Sequence, residues 1–172
     1  MVQTITSANT SINSKKLPAV YKKIDFSKFQ NRFSVLDYGC GKFNNAKEYI
    51  NSINGIWYGY DPYNRGEAEN SLAINSNSNC IVCSNVLNVL FDAEAIFKIV
   101  EDIYTLIKKN QSAAFITVYE GDKSRCGKIT KKDCYQRNEL LIDYLKYFDK
   151  IFGSNYFVIK KGVITNCPEF IN

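Results

Sequence analysis

Ser34-Val35-Leu36-Asp37-Tyr38-Gly39-Cys40-Gly41 reads as a short apolar strand that ends in an acid and breaks into a glycine turn. Trp57-Tyr58-Gly59-Tyr60-Asp61 repeats the pattern of strand followed by acid. Between them, Ala46, Tyr49, Ile50 and Ile53 recur at i, i+3, i+4 and i+7, which predicts a helix over 45–53. Strand, glycine turn, helix and second strand together make a nucleoside-binding half-site. Gly39 and Gly41 permit a positive φ and let a ligand approach the backbone where a Cβ would collide. The helix that follows turns its unpaired N–H groups to the same crevice. A dinucleotide fingerprint asks for a third glycine where this chain has Asn44, so nicotinamide and flavin dinucleotides are disfavoured. Asp61, at the end of the second strand, is placed to accept hydrogen bonds from two ribose hydroxyls.

Outward from that unit, strands are predicted over 34–38, 56–60, 80–84 and 113–118, the last apolar enough to be buried on both faces. Asp92 caps a long helix through Lys109 with an apolar stripe of Ile96, Ile99, Val100, Ile103, Leu106 and Ile107. A further helix is expected over 132–148, on the spacing of Leu140, Leu141, Tyr144, Leu145 and Phe148. An antiparallel hairpin over 156–165 turns at Gly162. A short helix is expected over 67–74, and the Asn/Ser run 75–79 holds only a loop, leaving little room for another strand. Residues 1–14, rich in Thr, Ser and Asn, form a flexible arm, and 15–172 one compact domain. The fold class is α/β: a doubly wound, Rossmann-like, mostly parallel sheet with a C-terminal antiparallel hairpin. Its parallel part puts Asp37 to Gly41, Asp61, Ser84 to Asn88 and Tyr119 to Asp122 along one crevice.

The chain has 172 residues, 45% of them hydrophobic, enough for a proper core. No stretch is long enough to span a bilayer, and the N-terminus lacks the apolar core of a signal peptide, so a cytoplasmic protein without a membrane partner is expected. Six cysteines in this arrangement suit thiols in a reducing compartment. Cys80 and Cys83 have metal-like spacing, but on a strand they point to opposite faces, and the chain has no histidine, so no metal site is expected. The formal charge of +5 is concentrated in 121–137, where Lys123, Arg125, Lys128, Lys131, Lys132 and Arg137 outnumber Asp122 and Asp133. Such a cluster can steer an anionic partner, or simply form a solvated loop.

Val35-Leu36-Asp37-Tyr38-Gly39-Cys40-Gly41 resembles the first motif of class I S-adenosylmethionine-dependent methyltransferases, and Asp61 resembles their ribose-binding acid. Cys80-Ile81-Val82-Cys83-Ser84-Asn85-Val86-Leu87-Asn88-Val89 is similar to their fourth motif, a buried strand ending beside the methyl donor. The resemblance covers 33–118, and Asp61-Pro62-Tyr63-Asn64 with the two asparagines of the fourth motif is similar to small phage-encoded members. It implies S-adenosylmethionine as cofactor, held by Asp37, Tyr38, Gly39, Cys40, Gly41, Asp61, Pro62, Ser84, Asn85 and Val86. A leading segment that folds over the cofactor adds Lys16. The third strand of the family is expected to be trimmed.

Transfer from a sulfonium is an in-line displacement whose donor is already activated, so proximity and orientation do most of the work. With no histidine, a proton would be taken by Glu120, Asp122, Tyr119 or a lysine of depressed pKa, or by water after the transfer, with Asn85 touching the cofactor or orienting the acceptor. Asn88, Tyr119, Lys123, Arg125, Gln136 and Arg137 are the candidate acceptor contacts, and 121–128 a loop that orders on substrate. Ser84-Asn85 lacks the paired prolines of enzymes that methylate base amino groups, and Cys167-Pro168 reverses the order found at a cytosine-attacking thiol. The expectation is methyl transfer to an acceptor whose identity is open, with a nucleic acid or phosphorylated molecule favoured by the basic segment. A cofactor-binding module without turnover and a nucleic-acid-binding protein are the alternatives.

Overall fold

The computed structural model describes residues 5–9, 16–29, 32–160 and 162–172. Four parallel strands form one side of a six-stranded sheet: β1 (Ser34–Tyr38), β2 (Ile56–Tyr60), β3 (Cys80–Ser84) and β4 (Ala113–Thr117). After a small separate hairpin, β5 (Lys128–Lys131) and β6 (Cys134–Gln136), the chain returns as β7 (Phe157–Ile159) and β8 (Val163–Thr165). The strand order is β2-β1-β3-β4-β8-β7, with β8 antiparallel to both neighbours. Gly162, at φ +72, sits in the tight β7–β8 connection, a conformation that costs glycine little.

Helices α1 (Asn45–Ser52), α2 (Glu67–Ile74), α3 (Ala93–Asn110) and α4 (Leu141–Phe152) complete the frame. Alternation along the buried strands divides the interior into two cores. Leu36, Ile81, Cys83 and Ile116 face Val100 and Ile103 of α3 and Tyr144 and Phe148 of α4. Val35, Trp57, Val82 and Phe115 face Ala46 and Ile50 of α1, together with Val20 and Phe26 from two short 3-10 turns. Cys80 belongs to this second core and Cys83 to the first, so the C-x-x-C sulfurs part to opposite faces as the strand geometry predicts. Burial raises both thiol pKa values. Each fully buried aliphatic side chain contributes about 1.5–3 kcal/mol, so helices on both faces are what hold the sheet's loop-bearing edge in place.

The segment 16–29 is tied to the C-terminus: Ile24 bridges Ile171, Asp25 N–H donates to the Phe170 carbonyl at 2.7 Å, and Asn172 N–H donates to the Lys23 carbonyl at 2.9 Å. Pro18 precedes only a single 3-10 turn, Ala19–Lys22. Residues 75–79 pass directly from α2 to β3 without a strand, as the Asn/Ser run predicts. Among the described residues no helix is long and apolar enough to cross a membrane.

The expected helix over 132–148 begins late. β6 and an irregular link occupy 134–140, and α4 starts at Leu141. Lys132 and Asp133 join β5 to β6, with Asp133 in the left-handed region at φ +57 that Asp tolerates better than most residues. Ile129, Thr130 and Tyr135 suit strands. The helix starts where two carboxylates meet its orphan donors: Asp143 Oδ2 accepts from Leu140 N–H and Glu120 Oε1 from Leu141 N–H, both at 2.9 Å.

Within the arm, residues 5–9 make long-range hydrogen bonds. Thr6 donates both its N–H and its hydroxyl to the Asp133 carboxylate, and Ser7 Oγ donates to the Val89 carbonyl at 2.6 Å. Asn64 Nδ2 reaches the Ala8 carbonyl at 3.2 Å. These partners lie far away in sequence, which is why composition alone reads the segment as loose. The remainder of the arm, 1–4 and 10–14, lies outside the described residues.

Candidate functional site

Parallel register brings the ends of β1, β2, β3 and β4 to one edge: Tyr38 is opposite Tyr60, Asp37 opposite Val82, and Ser84 opposite Thr117. The glycine turn leaves β1 there. Gly39 N–H and Cys40 N–H both donate to the Tyr60 carbonyl, at 2.7 and 3.1 Å, and Gly41 N–H donates to Asp61 Oδ2 at 2.9 Å. Gly39 is at φ +80, and a Cβ on it would lie 2.3 Å from Val86 Cγ2. The turn therefore needs glycine both for its backbone and for the close approach of the loop after β3.

Asp37 is buried on the α1 side of the sheet. Trp57 Nε1 donates to its Oδ2 at 3.3 Å; the Tyr21 hydroxyl beside it, fully buried, falls short of hydrogen-bonding geometry. Burial raises its pKa from the ordinary value to about 6, against the opposing pull of Tyr21, Trp57 and the Arg65 cation, with Asp61 adding to the rise. Tyr38 points the other way and donates its hydroxyl to Asp102 Oδ2 at 3.1 Å, so only its backbone faces the crevice. Burial lifts the Cys40 thiol to about 12, which leaves it protonated and inert.

Asp61 accepts from four donors. Besides Gly41, its Oδ1 takes Tyr63 N–H at 3.0 Å, Asn64 N–H at 2.9 Å and Asn64 Nδ2 at 3.1 Å. It thus closes the 61–64 turn and pins it to the glycine turn. Oδ2 keeps one lone pair for a ligand, and a second ligand bond to Oδ1 would displace the Asn64 amide. Arg65, which sequence reasoning missed, clamps the same loop: Nε to the Gly41 carbonyl and one terminal nitrogen to the Phe43 carbonyl, both at 2.9 Å, and the other to Asn44 Oδ1 at 3.0 Å. Its guanidinium lies 5.4 Å from the Trp57 ring centre. Pro62 is exposed and borders a groove of about 470 Å³ between the β2 end and α2.

A larger cleft, of about 600 Å³, opens at the ends of β3 and β4, where Ser84, Asn85, Thr117 and Tyr119 line it. Thr117 Oγ1 donates to Ser84 Oγ at 3.2 Å. Asn85 is at φ +59, held by its N–H on the Thr117 carbonyl at 2.9 Å, and among the described residues its exposed side-chain amide has no hydrogen bond. Glu120 also lines the cleft, but Leu141 N–H and, at 3.2 Å, Lys123 hold it below the usual carboxylate range. Asp122, held by Ser124 and by Lys128 at 3.0 Å, is pulled down to about 2. Both carboxylates are firmly ionised and weak as bases.

The expected acceptor contacts divide. Tyr119 and Lys123 border the cleft. Asn88 and Gln136 are buried and bind each other at 3.2 Å; Asn88 Oδ1 accepts from Tyr119 N–H and Gln136 Nε2 donates to the Tyr119 carbonyl, both at 3.1 Å. Arg137 is forked on Glu139 and donates to the Leu90 and Phe91 carbonyls. Arg125 pairs with Asp143 at 2.8 Å. Asn88, Gln136 and Arg137 attach the β5–β6 hairpin and its flank to the sheet edge, Arg125 ties the preceding loop to α4, and none of the four lines the cleft. Lys16 is exposed. Lys23 and Lys160 line the cleft instead, from segments far apart in sequence that carry no motif. No protein-family model matches this chain, and no curated protein matches its sequence.

Proposed function

We propose that this chain is an S-adenosylmethionine-dependent methyltransferase of Rossmann-like, doubly wound architecture. The observation that carries the reading is the use of the glycine turn's N–H groups: Gly39, Cys40 and Gly41 all donate to Tyr60 and Asp61. A pyrophosphate-binding turn aims such groups at its ligand. A turn that closes on itself suits a nucleoside cofactor without phosphates, with an acid, Asp61, next to it for ribose. The parallel sheet with one antiparallel member and no strand between α2 and β3 agrees with the trimmed methyltransferase architecture.

In this reading Asp61 Oδ2 binds ribose, the groove beside Pro62 receives the base, and Asp37 attracts the cationic end of the donor. Ser84, Asn85 and Val86 would hold the donor from the β3 side, and the acceptor would approach from the larger cleft. Orientation can supply about 7–11 kcal/mol of such a displacement. Asn85 is the catalytic candidate with an unengaged polar side chain at the cleft, where it aligns the acceptor. Glu120 and Asp122 act through charge and position, not as proton acceptors. The acceptor attacks through a lone pair and loses its proton to water.

Calorimetric titration of the full chain with S-adenosylmethionine and S-adenosylhomocysteine tests this, with NAD as control. Binding of the first two and not of NAD is expected; absence of both overturns the reading. The engaged state of Glu120 and Asp122 favours a second reading, a cofactor-binding module without turnover, which predicts the same titration and no methyl transfer to any acceptor.

A further inference from the structure

The two edges of the sheet are built differently. At the β2 edge every residue from Ile56 to Tyr60 is buried or half-buried, with α1 and α2 packed against the strand. At the β7 edge Phe157 is 50% exposed and Val158 45%. Successive strand residues point to opposite faces, so this edge is apolar and uncovered on both. By the same alternation Val158 lies on the side of Tyr156, whose ring packs on Phe148 and Phe152 of α4, and Phe157 and Ile159 lie on the other. The outer backbone edge of β7 pairs with no strand among the described residues. An unpaired apolar edge is a template for a further strand.

We propose that this further strand is β7 of a second copy of the chain, paired antiparallel about a two-fold axis at Val158. In that register the strand is complementary to itself. Phe157 falls opposite Ile159 of the second copy, an aromatic and β-branched pair of the kind that stabilises sheets, and Val158 falls opposite Val158. One step further out, Tyr156 falls opposite Lys160. The Tyr156 hydroxyl donates to Asp149 Oδ1 at 2.6 Å, which ties it to an exposed carboxylate. Neither Asp149 nor Lys160 forms an ion pair among the described residues. Antiparallel pairing brings Lys160 of each copy to the Asp149 end of the other, whereas parallel pairing sets Lys160 against Lys160. Charge thus selects the closed, two-fold arrangement. Lys160 and Gly162 also border the larger cleft, so segment 154–156 of one copy comes to lie beside the cleft of the other. The pairing rests on the edge alone and is independent of the methyl-transfer reading. A three-residue strand buries little surface, so the dimer is expected to be weak and concentration-dependent.

Sedimentation equilibrium of the full chain, with amide hydrogen exchange over a range of protein concentrations, tests this. A dimer is expected, with exchange at Phe157, Val158 and Ile159 slowing as concentration rises and exchange on β2 unchanged. Val158→Lys sets like charges opposite each other on the axis and should weaken the dimer at least about tenfold. Ile129→Lys, at an exposed position on β5, should leave it unchanged. Lys160→Asp should weaken the dimer about three- to tenfold, since the ion pair occurs twice, and Asp149→Lys/Lys160→Asp should recover part of that loss. Both of these positions are exposed, so the charge reversal decides the matter even where Val158→Lys lowers the thermal midpoint of the fold. A chain that stays monomeric up to about 1 mM overturns the proposal and leaves the edge to an extended segment of another protein. A dimer that survives Val158→Lys in a folded chain, or one that Ile129→Lys disrupts equally, overturns it as well.

Discussion

Around the β1–β2 end of the sheet edge, three successive N–H groups, both oxygens of Asp61 and the guanidinium of Arg65 are engaged within the loop itself. At the β3–β4 end, the Asn85 amide has no partner among the described residues, and the lysines come from segments distant in sequence. The first region is preorganised by short-range bonds, which suits a ligand of fixed shape. The second is a trough of long, adaptable side chains, which suits a charged ligand whose register is set elsewhere. Under the proposed function, the rigid half would hold the donor and the adaptable half the acceptor, because only the donor has to be held identically in every turnover.

Removing the centre of the rigid half gives the largest expected effect. Asp61→Ala leaves Gly41 N–H, Tyr63 N–H and two Asn64 groups without their acceptor. At roughly 1 kcal/mol net for each bond, the loss is about 3–4 kcal/mol of stability, measured by urea denaturation, and cofactor binding is lost with it. Asp61→Asn retains oxygen for part of the set and should unfold less while still binding S-adenosylhomocysteine poorly. If Asp61→Asn keeps full affinity, the carboxylate only closes the turn, and the donor site must be placed elsewhere on the edge.

Asp37 sharpens the contrast through pH. Its folded pKa, raised by burial to about 6, lies above the ordinary value of 3.8. The fold therefore binds the proton more tightly than the unfolded chain, and this group's contribution is most favourable below about pH 4 and is lost as pH rises through 6. The shift corresponds to about 3 kcal/mol at most. Asp37→Asn should stabilise the protein by up to that amount at neutral pH and change little at pH 4, by thermal or urea unfolding. A buried acid kept at such a cost is consistent with a cationic ligand. In the native chain, affinity for S-adenosylhomocysteine should fall as pH drops below 6, and in Asp37→Asn it should be lower and flat. A variant that is not stabilised at neutral pH shows that the Trp57 N–H already compensates the buried charge.

The two halves also differ in how legible they are in sequence. Asp37, Gly39, Gly41 and Asp61 are read directly because a strand, a turn and a second acid recur at short intervals, and the parallel register then brings them together. Both cores are legible from periodicity for the same reason: Leu36, Ile81 and Val100 obey local rules. Arg65 is not, because an arginine four residues beyond Asp61 looks like any surface cation until its four bonds to 41–44 and Glu69 are seen. Asn88, Gln136 and Arg137 look like acceptor contacts because polar residues near a loop-bearing sheet edge usually face solvent, yet long-range bonds turn them onto the protein itself. Lys23 and Lys160 have no local signature at all. Residues 132–140 are misread as helix because the helical spacing of 140–148 extends backward through a segment whose own turn at Asp133 favours a hairpin.

The smallest effect comes from the strand of arm that joins the two halves. Ser7 is 5% exposed; its Oγ donates to the Val89 carbonyl at 2.6 Å and accepts from Tyr135 N–H at 3.2 Å, while Ala8 meets Asn64 of the 61–64 turn. Residues 5–9 thus bridge the loop after β2, the loop after β3 and the β5–β6 hairpin. Ser7→Ala should cost about 1–2 kcal/mol, and because the segment can open without the sheet, the cost falls on local opening. Hydrogen exchange at the Tyr135 amide should accelerate roughly tenfold, with the core amides of β3 and β4 unchanged. If the bridge also roofs the donor site, release of S-adenosylhomocysteine accelerates by a comparable factor, since about 1.4 kcal/mol is a tenfold change. Faster exchange with unchanged release makes the bridge a brace for the hairpin. Faster exchange and release together make it the element that couples the two halves, because Asn64, which it holds, is the same residue that under the proposed function would yield Asp61 to ribose.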